Sequence, residues 1–306
     1  MDSAAASRTV LVGPGPAATA QPPGDGKLLL GLVGAGIERS LTPALQEEEA
    51  RSHGLRLHYQ LIDLDRTPGS LAQLPALLSA ARIMGFGGLN ITYPCKQAVI
   101  PLLDALSDDA RAIGAVNTVV IREGRLVGHN TDASGWAWGF RRALPQADLS
   151  CVVLLGAGGA GSAIAHALLQ CGTERLRIID RETARAHDLA HALQARYGRP
   201  VEAVSDAAHA LHTATGLVHA TPTGMDKLPG MPLDAALLRR ALWVSEIVYF
   251  PLDTELLRAA RSAGCAVVDG GTMAVGQAVG AFELFTGLQA DAARMERHFR
   301  ALVAGR

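Results

Sequence analysis

From Lys27 onward, the hydrophobic positions of the chain alternate between two patterns. Short aliphatic runs indicate buried strands, and a longer stretch with helical spacing follows most of them. This alternation is typical of parallel sheets covered by helices on both faces. The predicted strands are 28–34, 55–63, 87–93, 175–180, 215–222, 242–249 and 265–270, and the predicted helices are 43–54, 71–82, 135–144, 182–196, 253–263, 273–287 and 291–305.

Two α/β units can be separated along the chain. The first contains a hairpin predicted over 115–130, because β-branched residues alternate on both sides of a short turn at Glu123 and Gly124. The second begins after Asp132 and contains an aliphatic strand that runs directly into glycines. Because closing helices often return to the neighbouring domain, we predict a discontinuous α/β substrate-binding domain and a Rossmann-like, doubly wound dinucleotide-binding domain. The predicted boundaries are 1–26 for a disordered leader, 27–131 plus 273–306 for the substrate-binding domain and 132–272 for the dinucleotide-binding domain.

Composition and charge narrow the functional class. The 28 Lys and Arg residues are balanced by 29 Asp and Glu residues, so the chain lacks the excess positive charge that nucleic-acid binding requires. No apolar run approaches the roughly 18 residues that a membrane span needs. The four cysteines are far apart, which indicates reduced thiols rather than disulfides or a zinc site. We expect a cytoplasmic protein that binds neither nucleic acid nor membrane, and the sequence allows a homodimer without requiring one.

The sequence GAGGAG at 156–161 is the strongest physical signal for a ligand, because it follows a strand and opens a helix. Gly156 permits a tight turn, Gly158 lets backbone N–H groups approach a pyrophosphate, and Gly161 allows close contact between helix and strand. A tight turn without a ligand is the alternative. We expect the whole loop to contact a dinucleotide: Gly156, Ala157, Gly158, Gly159, Ala160 and Gly161.

Asp180 ends the second strand of this unit, about 24 residues beyond Gly156. A carboxylate there would accept hydrogen bonds from the adenosine ribose and repel a 2′-phosphate, which favours NAD. Arg181 follows and could meet a 2′-phosphate, so NADP stays an alternative. An ordinary aspartate at the end of a strand is the plainer interpretation.

Lys96 and Asp132 are the candidate reactive pair. Alone, Lys96 would be a solvated charge and Asp132 a helix cap. Oxidation of an alcohol requires a group that takes the hydroxyl proton. A lysine beside a carboxylate can be that group, because partial burial lowers the pKa of the lysine whereas the carboxylate raises it. Their spacing in the sequence does not show that the two side chains meet.

The chain resembles the shikimate dehydrogenase family, and within it the bacterial NAD-linked quinate/shikimate dehydrogenases. The matching segments follow the family's order from about residue 28 to the C-terminus. They are RSLTPAL (39–45), GLNITYPCKQ (88–97), GAVNTVV (114–120), GHNTD (128–132), GAGGAG (156–161), ATPTGM (220–225), VYFPLDTELL (248–257) and MAVGQAVGAFELFTG (273–287).

This resemblance implies an enzyme that interconverts shikimate or quinate with the 3-dehydro forms, with Lys96 and Asp132 as catalytic pair at the reacting hydroxyl. The substrate, a cyclic hydroxy acid, would lie in a cleft between the domains, which would close over it. The implied substrate-binding residues are Ser40, Thr42, Asn90, Thr92, Asn117, Tyr249 and Gln277. The implied cofactor-binding residues beyond the glycine loop are Asp180, Arg181, Thr221, Gly224, Met225 and Gly270.

The chain also departs from the family's usual pattern. His219 stands where Asn is usual, and Cys95 replaces the commoner aromatic residue beside the lysine. Asp180 stands where many biosynthetic members carry an Asn that suits NADP. The alternatives are a dehydrogenase of an amino- or otherwise modified ring acid, an NADP-linked biosynthetic shikimate dehydrogenase, a dinucleotide sensor without activity, and a folate-linked dehydrogenase.

No metal site is expected. His187 and His191 are four residues apart, as in zinc hydrolases, but the glutamate base of that motif is missing. We predict that they belong to a solvated helix face.

Overall fold

The computed structural model describes residues 27–66 and 70–305, so the predicted leader at 1–26 lies outside the described residues. The first half of the chain contains β1 (Lys27–Gly34), α1 (Thr42–Ser52), β2 (Arg56–Asp63), α2 (Leu74–Ile83), β3 (Gly88–Ile91), α3 (Cys95–Ala98), β4 (Ala105–Leu106), α4 (Asp108–Ile113), β5 (Thr118–Arg122) and β6 (Arg125–His129). The second half contains α5 (Asp132–Ala143), β7 (Cys151–Leu155), α6 (Gly159–Cys171), β8 (Arg175–Ile179), α7 (Thr183–Tyr197), β9 (Val201–Ala203), α8 (Ala207–His212), β10 (Gly216–His219), β11 (Trp243–Glu246), α9 (Glu255–Ser262), β12 (Ala266–Val268), α10 (Gly270–Thr286) and α11 (Ala292–Ala304).

The first sheet is mixed, with strand order β2-β1-β3-β5-β6-β4. β1, β2 and β3 are parallel, whereas β5 runs antiparallel to both β3 and β6. The carboxyl ends of β1, β3 and β6 therefore lie at the same edge as the beginning of β5. Segments that are distant in the sequence meet at this edge.

The second sheet is entirely parallel, with strand order β12-β11-β10-β7-β8-β9. The chain winds outward from β7 in one direction and from β10 in the other, so the order reverses between these two central strands. All five residues of β7 are buried, as expected for a strand covered on both faces. The predicted α/β fold with a doubly wound second unit is confirmed.

The predicted hairpin is also confirmed. Glu123 and Gly124 both have positive φ angles, 51° and 73°, and they connect β5 to β6 with Arg122 paired to Arg125. Two positive φ angles are characteristic of the tight turn whose twist matches antiparallel strands.

Short elements account for most differences from the prediction. β4, α4, β9 and α8 were not predicted, because segments of two to six residues are too short to show a hydrophobic period. The predicted helix over 71–82 begins with a 3-10 turn at Ser70–Gln73, and the α-helix starts at Leu74. Pro75 explains this start, because a proline lacks the backbone N–H that a helix interior requires.

α10 links the two halves of the molecule. It crosses α5 at Gly276 and Gly135, where a Cβ on Gly276 would lie 2.5 Å from the Gly135 carbonyl oxygen. At its other end, the ring of Phe285 lies against Gly88 in the first sheet. α10 begins at Gly270, so the predicted boundary at 272/273 falls inside its first turn, and the exact domain boundaries stay a prediction.

Glu49 ties α1 to α11. Its buried carboxylate accepts two hydrogen bonds from the guanidinium of Arg294, at 2.8 and 2.6 Å, and one from the backbone N–H of Asp291 at 2.8 Å. Burial alone would raise the pKa of Glu49, but the hydrogen bonds from Arg294 and Asp291 outweigh it and lower the pKa below its usual value. The carboxylate is therefore stabilised in its charged form.

We expect Glu49→Gln to lower the free energy of unfolding by about 2 kcal/mol at pH 7, because it leaves the partly buried Arg294 with only the more exposed Asp291, at 3.6 Å, as a charged partner. The contribution of Glu49 is present above pH 4.5, the ordinary pKa of the group, and is lost as the pH falls through its lowered pKa. The difference between variant and wild type should therefore shrink on acidification in urea unfolding. Glu48→Gln is the control, since Glu48 pairs with the exposed Arg51; an equal loss there would contradict the assignment.

Candidate active site

Lys96 and Asp132 form an ion pair at the carboxyl edge of the first sheet. Lys96 lies in the first turn of α3, which follows β3, and Asp132 is the first residue of α5, which follows β6. Lys96 Nζ is 2.5 Å from Asp132 Oδ2, and the two side chains are 19% and 5% exposed. The structure thus brings together the two side chains whose meeting the sequence left open.

Asp132 is held from both sides. Its Oδ1 accepts a hydrogen bond from Asn117 Nδ2 at 2.9 Å, and its backbone N–H donates to Asn130 Oδ1 at 3.0 Å. Asn130 is itself fixed, because its Nδ2 donates to the carbonyl oxygen of Ala115 at 2.9 Å. One carboxylate oxygen is therefore occupied by Asn117, and the other is directed at Lys96.

Asn117 uses its full hydrogen-bonding capacity within the protein. Its Nδ2 donates to Thr131 Oγ1 as well as to Asp132, each at 2.9 Å. Its Oδ1 accepts from the backbone N–H of Thr131 at 2.8 Å and from the hydroxyl of Thr118 at 3.0 Å. In this arrangement Asn117 orients Asp132, and a ring hydroxyl could bond to Asn117 only by replacing one of these partners.

Asn90 retains one free acceptor position. Its Oδ1 accepts from the hydroxyl of Tyr59 at 2.7 Å, and its Nδ2 donates to Thr118 Oγ1 at 3.1 Å and to the carbonyl oxygen of Asn117 at 3.3 Å. A ligand hydroxyl at Asn90 would therefore have to donate its hydrogen. Burial raises the pKa of Tyr59 well above its usual value, and the nearby phenol of Tyr249 raises it further. Tyr249 thus lies close to this corner of the site.

The other predicted substrate-binding residues border the same edge. Ser40 Oγ and Thr42 Oγ1 are 3.2 Å apart at the start of α1. Thr92 follows β3, and its methyl group lies against Gly34 at the end of β1. Gln277 borders the site from α10 through its backbone, because its carbonyl oxygen accepts a hydrogen bond from Thr131 Oγ1 at 3.1 Å, whereas its side-chain Nε2 donates to the carbonyl oxygen of Ala274 at 3.1 Å.

The glycine-rich loop of the second unit is shaped by close backbone contacts. A Cβ on Gly161 would lie 2.0 Å from the carbonyl oxygen of Gly156, and one on Gly156 would lie 2.7 Å from that of Ala220. By contrast, no atom lies within 4 Å of the Cβ position of Gly158, and no side chain caps α6 there. An uncapped helix N-terminus beside open space fits the pyrophosphate of a dinucleotide.

This loop also borders the ion pair. A Cβ on Gly159 would lie 3.5 Å from Lys96 Cβ and from Ala115 Cβ. The candidate cofactor loop and the candidate reactive pair therefore lie side by side where the two units meet.

Asp180 directly follows β8 and faces the glycine-rich loop. Its Oδ2 accepts from the backbone N–H of Ala157 at 2.7 Å, and its Oδ1 accepts from that of Glu182 at 2.9 Å. Arg181 is exposed beside it. The carboxylate therefore already braces the loop, and each oxygen keeps a lone pair for a ribose hydroxyl.

The remaining predicted cofactor residues lie at neighbouring strand ends. Thr221 follows β10, Gly224 is buried, and Met225 is 40% exposed. A Cβ on Gly270 would lie 2.4 Å from the carbonyl oxygen of Val248, so close packing is enough to explain why a glycine occurs at this position. The contact of Gly270 with a cofactor stays a prediction.

The loop that carries Met225 also reaches the first unit. Asp226 Oδ2 accepts a hydrogen bond from Arg39 Nη1 at 2.9 Å, and the guanidinium of Arg39 lies 5.3 Å from the ring centroid of Phe250. Residues of the second unit thus touch the segment that carries Ser40 and Thr42. Contacts of this kind are expected where two domains close over a ligand.

Comparison with known proteins decides the family. A family model for the shikimate dehydrogenase substrate-binding domain matches residues 32–119, and one for the saccharopine dehydrogenase NADP-binding domain matches residues 152–296. The shikimate dehydrogenase (NADP⁺) of Streptomyces avermitilis is 56% identical, over 87% of this chain and 93% of the relative. The chain belongs to the shikimate dehydrogenase family. The predicted family, and with it the prediction of an oxidoreductase, is confirmed.

Further members of the shikimate dehydrogenase family are similar in sequence and structure. The quinate/shikimate dehydrogenase (NAD⁺) of Corynebacterium glutamicum strain R is 46% identical over 90% of this chain and 99% of the relative. A solved quinate dehydrogenase from Corynebacterium glutamicum in complex with NAD, 46% identical, superposes with a TM-score of 0.83 over 90% of this chain and 99% of that one. A Thermus thermophilus shikimate 5-dehydrogenase in complex with NADP(H) and shikimate, 36% identical, gives 0.79 over the same shares.

Other features of this family member concern a missed residue, the two histidines of α7 and the search for metal and membrane elements. Tyr59 was missed, because a tyrosine in an alternating strand gives no sign of its partner. His187 and His191 are exposed on α7, as predicted. Among residues 27–66 and 70–305, no three His, Cys, Asp or Glu side chains are grouped to hold a metal ion. Within the same residues, no helix is long and apolar enough to cross a membrane.

We expect Gly161→Ala to lower the free energy of unfolding by roughly 2–3 kcal/mol, because the new methyl group would overlap the Gly156 carbonyl oxygen. Gly158→Ala is the matched control in the same loop and should change stability by less than about 0.5 kcal/mol, since its Cβ position is open. Urea unfolding measures both. Equal destabilisation by the two substitutions would show that the turn is not packed as described.

Proposed function

We propose that the chain is an NAD-dependent oxidoreductase that interconverts shikimate or quinate with their 3-dehydro forms. The observation that carries this proposal is the Lys96–Asp132 ion pair beside the glycine-rich loop. An acid–base pair next to an uncapped, glycine-lined helix N-terminus supplies what oxidation of a ring alcohol requires. The small cyclic hydroxy acid would lie on residues 27–131 and 273–306, and the dinucleotide on residues 132–272.

Lys96 is the proposed acid–base group. In the oxidative direction Nζ first releases a proton to solvent, and its neutral amine then takes up the proton that the reacting hydroxyl releases. In the reductive direction the ammonium form of Nζ gives a proton to the same oxygen. Asp132 holds the Lys96 side chain in place, and Asn117 and Asn130 hold Asp132. Burial raises the pKa of Cys95 to about 11, so this neighbouring thiol stays uncharged at neutral pH and does not compete with Asp132 for Lys96.

The polar groups around the pair would orient the substrate. Ser40 and Thr42 can donate to a carboxylate without adding a charge, and Asn90 can accept from one ring hydroxyl. When it is bound, the dinucleotide supplies the hydride acceptor for oxidation and the donor for reduction. Gly156–Gly161 would hold its pyrophosphate, and Asp180 would accept from its adenosine ribose.

NAD is the proposed cofactor. The Streptomyces relative is named for NADP⁺ and the Corynebacterium relative for NAD⁺. Membership of the family therefore does not determine the cofactor, and the residues around the adenosine ribose must be considered. Asp180 supports NAD, because a carboxylate at this strand end repels a 2′-phosphate.

We also propose a cytoplasmic location, supported by four free cysteines, since a reducing compartment keeps thiols unpaired.

We expect Lys96→Ala to lower kcat by roughly 10²–10⁴-fold with shikimate or quinate and NAD, because it removes the acid–base group. Asp132→Asn should cause a loss in the same range, because the amide no longer pairs with the ammonium. Gln97→Ala, at the neighbouring exposed position on α3, is the control and should retain turnover. Near-normal steady-state kinetics of Lys96→Ala would overturn the proposal, provided that the variant keeps its wild-type melting temperature.

The cofactor preference can be tested at Asp180. We expect wild-type kcat/KM with NAD to exceed that with NADP, and Asp180→Asn to reduce this ratio about tenfold or more, because it removes the repulsion of a 2′-phosphate. Asp188→Asn removes an equal charge from the exposed face of α7 and should leave the ratio unchanged. A wild-type preference for NADP would refute the assignment of NAD.

A further inference from the structure

The second unit contains a buried polar pair that the proposed chemistry does not use. His219 ends β10 and Glu246 ends β11, and the two residues are direct neighbours in the parallel ladder. Their side chains are both fully buried. Polar groups at such a depth are costly unless every polar atom has a partner, so each contact of the pair is informative.

Glu246 acts as an acceptor on both oxygens. Oε1 accepts from the backbone N–H groups of Ile247 and Val248, at 2.8 and 3.0 Å, and Oε2 accepts from the hydroxyl of Thr254 at 3.1 Å. His219 Nδ1 lies 2.8 Å from Oε1 and 3.0 Å from Oε2. Because its partner is a carboxylate, Nδ1 carries the hydrogen and donates it to Glu246.

The other ring nitrogen faces Thr221. With the hydrogen on Nδ1, Nε2 presents a lone pair, and the hydroxyl of Thr221 donates to it at 2.5 Å. Thr221 Oγ1 in turn accepts from the backbone N–H of Thr223 at 3.4 Å. The pair therefore fixes both the position of Thr221 and the direction of its hydroxyl hydrogen.

Thr221 lies directly against the glycine-rich loop. A Cβ on Gly156 would lie 3.1 Å from Thr221 Cγ2. β7, which leads into that loop, has β8 with Asp180 on one side and β10 with Thr221 on the other. A dinucleotide whose pyrophosphate lies on the loop and whose adenosine points to Asp180 must extend its nicotinamide half over the end of β10.

We propose that His219 and Glu246 are positioning residues, which hold Thr221 and the loop that follows it as the support for the nicotinamide half of the dinucleotide. This inference rests on the proposed function, because it assumes that the cleft binds a dinucleotide. It assigns neither residue a contact with the substrate or the cofactor.

Two substitutions of His219 isolate its contact with Thr221. In His219→Gln the amide group lies where Nε2 was and can still meet Thr221, whereas the apolar side chain in His219→Leu can bond to neither Thr221 nor Glu246. Isothermal titration calorimetry with NAD and with ADP-ribose, which lacks nicotinamide, then reports on the two halves of the site without requiring turnover. His166→Leu is the matched control, because His166 is another buried histidine of this unit, bonded to the hydroxyl of Tyr197.

We expect His219→Leu to weaken the binding of NAD about tenfold and that of ADP-ribose by less than twofold, because one buried hydrogen bond to the loop is lost. His219→Gln should retain most of the affinity for NAD, and His166→Leu should not distinguish the two ligands. Thr221→Val should reproduce the loss, and combining it with His219→Leu should add little, since both remove the same contact.

Two outcomes would overturn the inference, and they are distinguishable. If the wild type binds ADP-ribose and NAD but His219→Leu weakens both equally, or if its effect adds fully to that of Thr221→Val, His219 is a general structural residue. If the wild type binds neither ligand, the proposed function itself fails and the inference fails with it.

Discussion

The candidate site depends on keeping one carboxylate and one ammonium group together, largely out of water. Such a pair is stable only when hydrogen bonds satisfy the remaining lone pairs, because desolvation offsets most of the attraction between the charges. Asn117 donates such a bond to the carboxylate of Asp132, and Asn130 fixes the Asp132 backbone by accepting from its N–H. The mixed first sheet makes this possible, because its antiparallel β5 begins at the edge where β3 and β6 end and so brings Asn117 beside the pair.

The sequence predicted most of the fold and named Lys96 and Asp132 as candidate reactive residues, but it did not show how they are held. Long aliphatic strands and the glycine-rich turn follow from local chemistry, so β7 and the loop after it were predicted correctly. Lys96 and Asp132, 36 positions apart, look locally like a surface charge and a helix cap, and family resemblance was needed to join them. The saturation of Asn117 and the partners of Tyr59 and His219 arise only from tertiary contacts, which no spacing in the sequence encodes.

Both units contain closed hydrogen-bond networks at their candidate sites. In the first unit Asn117 uses all of its amide atoms, and in the second unit the side chains of His219 and Glu246 have partners for all of their polar atoms at the ends of β10 and β11. Within the part of the chain that the structure describes, only Gln46 Oε1 and Thr173 Oγ1 are buried side-chain atoms without a partner, and neither belongs to these networks. Saturated networks favour a single geometry, because any displacement would leave a buried polar atom unpaired.

The crossing of α5 and α10 at Gly135 and Gly276 has a mechanical consequence. The chain passes between the two sheets in these two helices, and their backbones touch at this point, where even a single methyl group would not fit. With both passages pinned together, one half cannot slide along the other. A rotation of one half about this crossing would displace Asp132 little, because Asp132 lies within one turn of Gly135 on α5.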